Sequence, residues 1–152
     1  MVVLQVVGPH DGGKTTLVEF LVRELKKRGY RVGYLKHDPK GKGITDKEGS
    51  DTARVKPFTE RTVLLSPSQT TLWLQGSLSL KEALRFFEGL DAVLVEGFKG
   101  EEGFPKVWVD RRGNFPEGAF VFKVRGREDY EGVLNWLLER LQETSSNHKN
   151  LR

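Results

Sequence analysis

No cysteine occurs among the 152 residues. That excludes disulfides, thiol nucleophiles and cysteine-ligated metal centres, and it fits a reducing compartment, so a cytoplasmic protein is expected. Histidine is nearly as scarce. His10, His37 and His148 stand far apart in the chain and form no cluster with metal-ligand spacing. No run reaches the roughly 18 apolar residues that suggest a membrane span. The first residues lack the basic region and small-residue cleavage site of a secretory leader. No membrane partner is expected. One methionine, no cysteine and 30% charged residues lean toward a thermophilic composition.

What is present is charge. Lys and Arg number 25 against 21 Asp and Glu, a net +4. The excess is local, at Lys26-Lys27-Arg28, between Lys36 and Lys47, and at Arg111-Arg112. Such a surface suits phosphorylated ligands and acidic partners. The acidic residues are interspersed, so nucleic acid is not the expected partner. The length suffices for one domain with a sizeable core.

Gly8-Pro9-His10-Asp11-Gly12-Gly13-Lys14-Thr15 reads G-x-x-x-x-G-K-T, a phosphate-binding loop. Val2 to Val7 before it is an apolar, β-branched run suited to a buried parallel strand. Thr16 to Arg28 after it has helical periodicity, with Gly29 at the position of a C′ glycine. The chemistry explains the spacing. Gly8, Gly12 and Gly13 let the backbone turn tightly, so that N–H groups of the loop from His10 and Asp11 onward converge on one concavity. The helix N-terminus at Lys14, Thr15 and Thr16 adds positive potential. Lys14 can reach the β- and γ-phosphates, and the Thr15 hydroxyl can ligate Mg²⁺.

Arg31 to His37 reads as a second strand, parallel to the first across a right-handed crossover. Asp38 to Asp51 is a polar, Gly- and Lys-rich loop. Loops of this length in compact domains are usually functional, and this one leaves the carboxyl end of its strand. It is therefore expected to bring Lys36, His37, Asp38, Asp46 and Asp51 toward the nucleotide. Ser50 to Lys56 can open a short helix that Pro57 stops. Arg61 to Leu65 and Thr70 to Leu74 flank a Ser-Pro-Ser-Gln turn and predict a hairpin. Ser79 and Glu82 have the spacing of a capping box for the next helix, ending near Gly89.

Asp91 to Gly97 is a second strand-plus-acid element, A-V-L-V-E-G. Four apolar residues that end in an acid have the form of a Walker B strand. Its acid, Glu96, can bind Mg²⁺ through water or orient an attacking water. Lys106 to Asp110 and Ala119 to Val124 are the last strands, and Val133 to Leu141 is a final amphipathic helix. The fold expected is α/β: a mostly parallel, doubly wound sheet of the P-loop NTPase type, with helices on both faces and an added hairpin. Residues 1–143 are expected to form one nucleotide-binding domain and 144–152 a frayed tail. Within that frame the catalytic candidates are Lys14 and Glu96. The cation candidates are Thr15, Glu96 and Asp38. No N-K-x-D element that would read guanine is found, so the residues alone leave GTP and ATP open. They also leave open a small-molecule kinase. The middle loop has lysines but only Arg54 near its end, against the arginine-rich lid of a kinase.

With these elements placed, the chain resembles the molybdopterin-guanine dinucleotide biosynthesis protein B family. The resemblance rests on Gly8 to Thr16, on Lys36-His37, on Asp46 to Thr52, and above all on Leu94-Val95-Glu96-Gly97-Phe98-Lys99 followed by Pro105-Lys106-Val107. It departs from the family pattern at Asp38-Pro39, where further histidines often stand, and at Ser50, which replaces a lysine. The resemblance implies a GTP-binding accessory protein of molybdenum cofactor synthesis, Mg²⁺-dependent, with weak GTPase activity. It implies a homodimer that assists the guanylyltransferase joining GMP to molybdopterin, with contacts to molybdopterin-binding partners. Lys36, Asp51, Gly97 and Lys99 join the loop residues as ligand-contact candidates on that basis. A metallochaperone-type GTPase is the neighbouring alternative.

Overall fold

The computed structural model describes the backbone of residues 1–150 and side chains through Asn147. The chain divides into two compact units. One is Met1–His37 together with the residues from Leu84 onward; the other is Asp38–Ala83.

The first unit is built on a five-stranded, all-parallel sheet. Its strands are β1 (Val2–Val7), β2 (Val32–Lys36), β5 (Ala92–Glu96), β6 (Lys106–Val109) and β7 (Phe122–Val124), in the order β2-β5-β1-β6-β7. β1 is central, with Val6 paired to Glu96 on one side and to Val107 on the other. Central parallel strands are covered on both faces, so their sequences are apolar without alternation. β5 is buried along its whole length, as A-V-L-V-E predicts for all but its last residue.

Two long helices, α1 (Lys14–Lys27) and α4 (Tyr130–Asn150), cover the face that carries Leu4, Val6, Ala92, Leu94, Val107 and Val124. Leu17, Leu21 and Leu25 of α1 and Val133, Leu134, Leu137 and Leu141 of α4 complete one continuous core. These are the i, i+3/i+4 stripes legible in the sequence. On the opposite face Phe87, in a 3₁₀ turn (Arg85–Phe87), lies so close over Gly33 of β2 that only glycine fits there. α1 ends in a Schellman motif: Tyr30 N donates to Leu25 O, Gly29 N donates to Lys26 O, and Gly29 has φ 85°. α4 is longer than its apolar stripe predicts. It starts at Tyr130, and the tail expected to fray from Thr144 is helical as far as Asn150. Leu151 and Arg152 lie outside the described residues.

The second unit holds α2 (Asp51–Val55), the antiparallel hairpin of β3 (Arg61–Leu65) and β4 (Thr70–Leu74), and the start of α3 (Leu80–Leu84). The predicted capping box at Ser79 forms, and Ser50 caps α2 as well. Ser50 Oγ accepts from Ala53 N. Ser79 Oγ accepts from Glu82 N while Glu82 Oε1 accepts from Ser79 N. α3 is only five residues long and then tightens into the 3₁₀ turn. Among the described residues no helix is long and apolar enough to cross a membrane.

Candidate functional site

The phosphate loop runs from the end of β1 to the start of α1 and is wedged against β6. A side chain on Gly8 would collide with the Val109 carbonyl oxygen, and one on Gly12 would stand 2.8 Å from the same atom. Gly13 adopts φ 105° directly before the helix. Asp11 also takes a left-handed conformation, φ 57°, which aspartate tolerates better than most residues. The glycines at 8, 12 and 13 are thus required by close approach and by backbone conformation. His10 is fully at the surface, with Nε2 3.4 Å from the Asp11 carboxylate.

Lys14 Nζ donates to Gly8 O at 2.9 Å and Pro9 O at 2.8 Å, so the ammonium lies across the mouth of the loop. Burial lowers the Lys14 pKa; the Glu96 carboxylate opposes this, and the nearby Lys99 and Lys36 ammonium groups reinforce it. An anion placed among these three cations is stabilised for the same reason that Lys14 is not.

Glu96 ends β5 and is only 4% exposed. Period-two alternation puts it on the face that α1 covers, in line with Leu94 and Ala92. Its Oε1 accepts from Thr15 Oγ1 at 2.9 Å and from Tyr34 OH at 3.1 Å, and its Oε2 lies 3.6 Å from Lys36 Nζ. The parallel pairing of β2 with β5 sets Lys36 beside Glu96. Desolvation first, then the carboxylate's charge and hydrogen bond, push the Tyr34 pKa up to about 12.

After Glu96 the chain makes a sharp turn. Gly97 has φ 101° and Phe98 φ 59°. Gln5, a fully buried amide in the middle of β1, holds this turn by donating to Gly97 O and Phe98 O. Phe98 stacks on His37 with ring centroids 4.1 Å apart. Lys99 Nζ sits 5.4 Å from the Trp108 ring centroid. The E-G-F-K segment is therefore locked to both β1 and the end of β2.

The structure brings Lys14, Thr15, Lys36, Glu96, Gly97 and Lys99 into one neighbourhood at the carboxyl edge of the sheet. Asp38, Asp46 and Asp51 belong to the second unit. Asp38 accepts from Lys42 N and Gly43 N. Asp46 is held by Ser50, Thr52 and Lys56, and these hydrogen bonds outweigh its desolvation to lower its pKa. Asp51 is the first residue of α2. Sequence reading missed Gln5 and Tyr34. The signal for Gln5 was present, a lone amide inside an otherwise apolar strand; Tyr34 gave none, because its role depends on β2 lying beside β5.

Thr15 Oγ1 and Glu96 Oε1 form a pair of hard oxygen donors beside the lysine, the donor type that Mg²⁺ prefers. No group of three or more His, Asp or Glu among the described residues is arranged to hold a metal ion alone. A cation here would need oxygen ligands from a bound phosphate, which is how Mg²⁺ is usually held with nucleotides. Thr16, on the far side of the loop, lines a cleft with Gly12, Gly13, Arg111, Arg125 and Tyr130.

Residues 3–123 match the family model described as molybdopterin guanine dinucleotide synthesis protein B. The molybdopterin-guanine dinucleotide biosynthesis adapter protein of Haemophilus influenzae is 35% identical over 114 residues, a match covering 72% of this chain and 63% of that protein. A probable adapter protein of the same description from Bacillus subtilis is 32% identical over 111 residues, covering 70% of this chain and 64% of that protein. The chain thus spans just under two thirds of the length of these curated relatives. Among solved structures, a MobB protein homolog from Bacillus stearothermophilus superposes with TM-score 0.65 at 26% identity, covering 94% of this chain and 99% of that one. Bacillus subtilis MobB superposes with TM-score 0.70 at 21% identity, covering 89% and 97%, a likeness of fold.

Proposed function

Because the chain belongs to the molybdopterin guanine dinucleotide synthesis protein B family, we propose that it is a nucleotide-binding adapter in molybdenum cofactor synthesis, binding GTP with Mg²⁺. The observation that carries this is the convergence of Lys14, Thr15 and Glu96 from a phosphate loop and a Walker B-like strand end. Lys14 exchanges the Gly8 and Pro9 carbonyls for phosphate oxygens. Gly8, His10, Asp11, Gly12 and Gly13 supply the loop around the phosphates, and Thr16 borders it. Lys36 and Lys99 add positive charge for the phosphates or for an anionic pterin. Mg²⁺, when bound, neutralises phosphate charge; Thr15 and Glu96 are the residues that would hold it. Asp38 and Asp51 are further candidates, for the cation shell and for ordering the middle loop.

Hydrolysis by this site is slow. A general base must be free to take a proton, and Glu96 already has Thr15, Tyr34 and Lys36 as partners. The adapter acts as a homodimer alongside the guanylyltransferase that joins GMP to molybdopterin, and alongside molybdopterin-binding partners in the cytoplasm. Support for a dimer comes from the β3–β4 hairpin. A two-stranded hairpin is marginal alone and has open edges. Val63, Leu65 and Leu72 on it are 53%, 75% and 43% exposed.

The test is a reconstituted guanylyltransferase assay with molybdopterin and GTP. The adapter raises the yield of dinucleotide, and Lys14→Ala removes the increase. A yield unchanged by the unaltered protein contradicts the adapter reading.

A further inference from the structure

On the β6 side of the phosphate loop lies a cleft of about 170 Å³, lined by Gly12, Gly13, Thr16, Arg111, Arg125 and Tyr130. It is smaller than the roughly 300–1,000 Å³ that encloses a whole drug-sized ligand. It has room for one moiety of a ligand whose remainder lies on the loop. The topology says which moiety. Thr15 and Glu96 mark the cation end of a bound triphosphate, beside β5. β1 separates β5 from β6 and β7. A triphosphate laid over the loop from β5 therefore delivers its nucleoside over the ends of β6 and β7, into this cleft.

The lining is chemically one-sided. It contains two arginines and a tyrosine and no carboxylate. Asp11, Asp110, Asp129 and Glu131 each adjoin a lining residue in sequence, yet none of them lines the cleft; Asp110 is buried and its Oδ1 accepts from Arg112 N. The N1 and N2 donors of guanine thus find no acidic side chain in the cleft wall. The arginines are placed with care. Arg111 N donates to Gly12 O at 3.0 Å, which ties its turn to the phosphate loop. Arg125 N donates to Asp129 Oδ2 at 2.8 Å. The Arg125 guanidinium rests on Gly113, where a side chain would stand 3.1 Å from Nη1. Neither guanidinium makes a hydrogen bond or ion pair with another described residue. Tyr130, which is buried and packed on Phe20, closes the floor.

From this we infer that Arg125 reads the O6 and N7 edge of a 6-oxopurine, with Arg111 stacked against the base. The inference rests on the nucleotide-binding reading and deepens it. Guanine presents two acceptors on that edge, and an arginine fork meets both at once. Adenine presents N7 but sets an amino donor where O6 would be, so one arm of the fork faces a donor. Selection of GTP over ATP then needs no aspartate, in keeping with the missing N-K-x-D element.

The experiment is calorimetric titration of the full chain with Mg²⁺ and GTP, ITP, 7-deaza-GTP or ATP. The proteins are the unaltered chain, Arg125→Ala, Arg125→Lys and Arg111→Ala. ITP keeps O6 and N7 and lacks the N2 amino group; 7-deaza-GTP lacks N7. The unaltered protein should bind GTP and ITP alike, and 7-deaza-GTP and ATP about tenfold or more weakly. Arg125→Ala should bring GTP down to the level of ATP and Arg125→Lys should keep part of the preference, whereas Arg111→Ala should weaken every purine by the same factor. ITP falling to the level of ATP while 7-deaza-GTP matches GTP would overturn the assignment, because the other edge of the base would then be read. An equal loss for all four nucleotides in Arg125→Ala would overturn it too, by making Arg125 a phosphate contact. Equal affinity of the unaltered protein for GTP and ATP overturns this inference and leaves nucleotide binding standing. No binding of any triphosphate overturns the functional reading itself.

Discussion

Thr15 Oγ1 donates to Glu96 Oε1 at 2.9 Å, joining residues 81 positions apart. This bond links the helix that follows the phosphate loop to the strand that ends in the Walker B-like acid. If both oxygens serve a bound Mg²⁺, removing either should cost cation-dependent affinity. We expect Thr15→Ala and Glu96→Gln each to weaken triphosphate binding about tenfold or more in Mg²⁺, and to leave it nearly unchanged in a chelator. Equal losses in both conditions would mean that the pair is only structural. Calorimetry with and without chelator separates the two.

Lys14 gives a second expectation. Its ammonium is partly desolvated and faces two other lysines, so its charge destabilises the folded protein. Lys14→Met should raise the thermal midpoint at neutral pH while abolishing the preference for a nucleoside triphosphate over the monophosphate. The sign follows from linkage. A lysine with a lowered folded-state pKa burdens the fold while protonated, and the burden lifts as pH rises through that pKa toward 10.5. The midpoint difference between the two proteins should therefore shrink in alkaline buffer.

Tyr34 supplies the opposite sign. Its phenol is raised from 10.0 to about 12 by desolvation and by the Glu96 carboxylate. The contribution to stability is present in full below pH 10 and is lost as pH rises through about 12. Phenolate absorbance should show Tyr34 and Tyr130 titrating late, since burial raises Tyr130 as well, and Glu96→Gln should move only the Tyr34 titration back toward its ordinary range.

The glycines divide into two kinds. Gly8→Ala drives a methyl into the Val109 carbonyl, and Gly29→Ala meets nothing within 4 Å despite φ 85°. Gly29→Ala should cost about 1 kcal/mol, the left-handed penalty alone. Gly8→Ala should cost about 3 kcal/mol or more, since backbone must shift. Urea titrations of both variants read the difference.

The hairpin carries the oligomer prediction. Val63→Glu with Leu65→Lys places charge on residues that are 53% and 75% exposed. The pair should turn a homodimer into a monomer in sedimentation without lowering the midpoint of the monomer's unfolding. A monomeric unaltered protein contradicts the dimer.

Local signals explain what the sequence could tell. The phosphate loop, Glu96, the Schellman glycine at Gly29 and the capping box of Ser79 and Glu82 each depend on neighbours within a few residues. All of these appear at the expected places. The partners of Glu96 beyond Thr15 depend on strand order, which no local pattern states; Tyr34 and Lys36 reach it only because β2 lies beside β5. Arg125 and Tyr130 border the loop only because β7 follows β6 in the sheet. α4 outruns its leucine stripe because good helix formers, Glu139 to Glu143, extend it past the packed positions. Asp38 and Asp51 stand in the second unit, and a loop's sequence does not say what it approaches.

Nucleotide binding at the phosphate loop is tested most directly by calorimetric titration of the full chain with GTP and with ATP, each with Mg²⁺, alongside Lys14→Ala. Saturable binding with GTP favoured, and loss of that binding in the variant, is the expected result. Binding that favours ATP, or GTP affinity indifferent to Lys14, would contradict it.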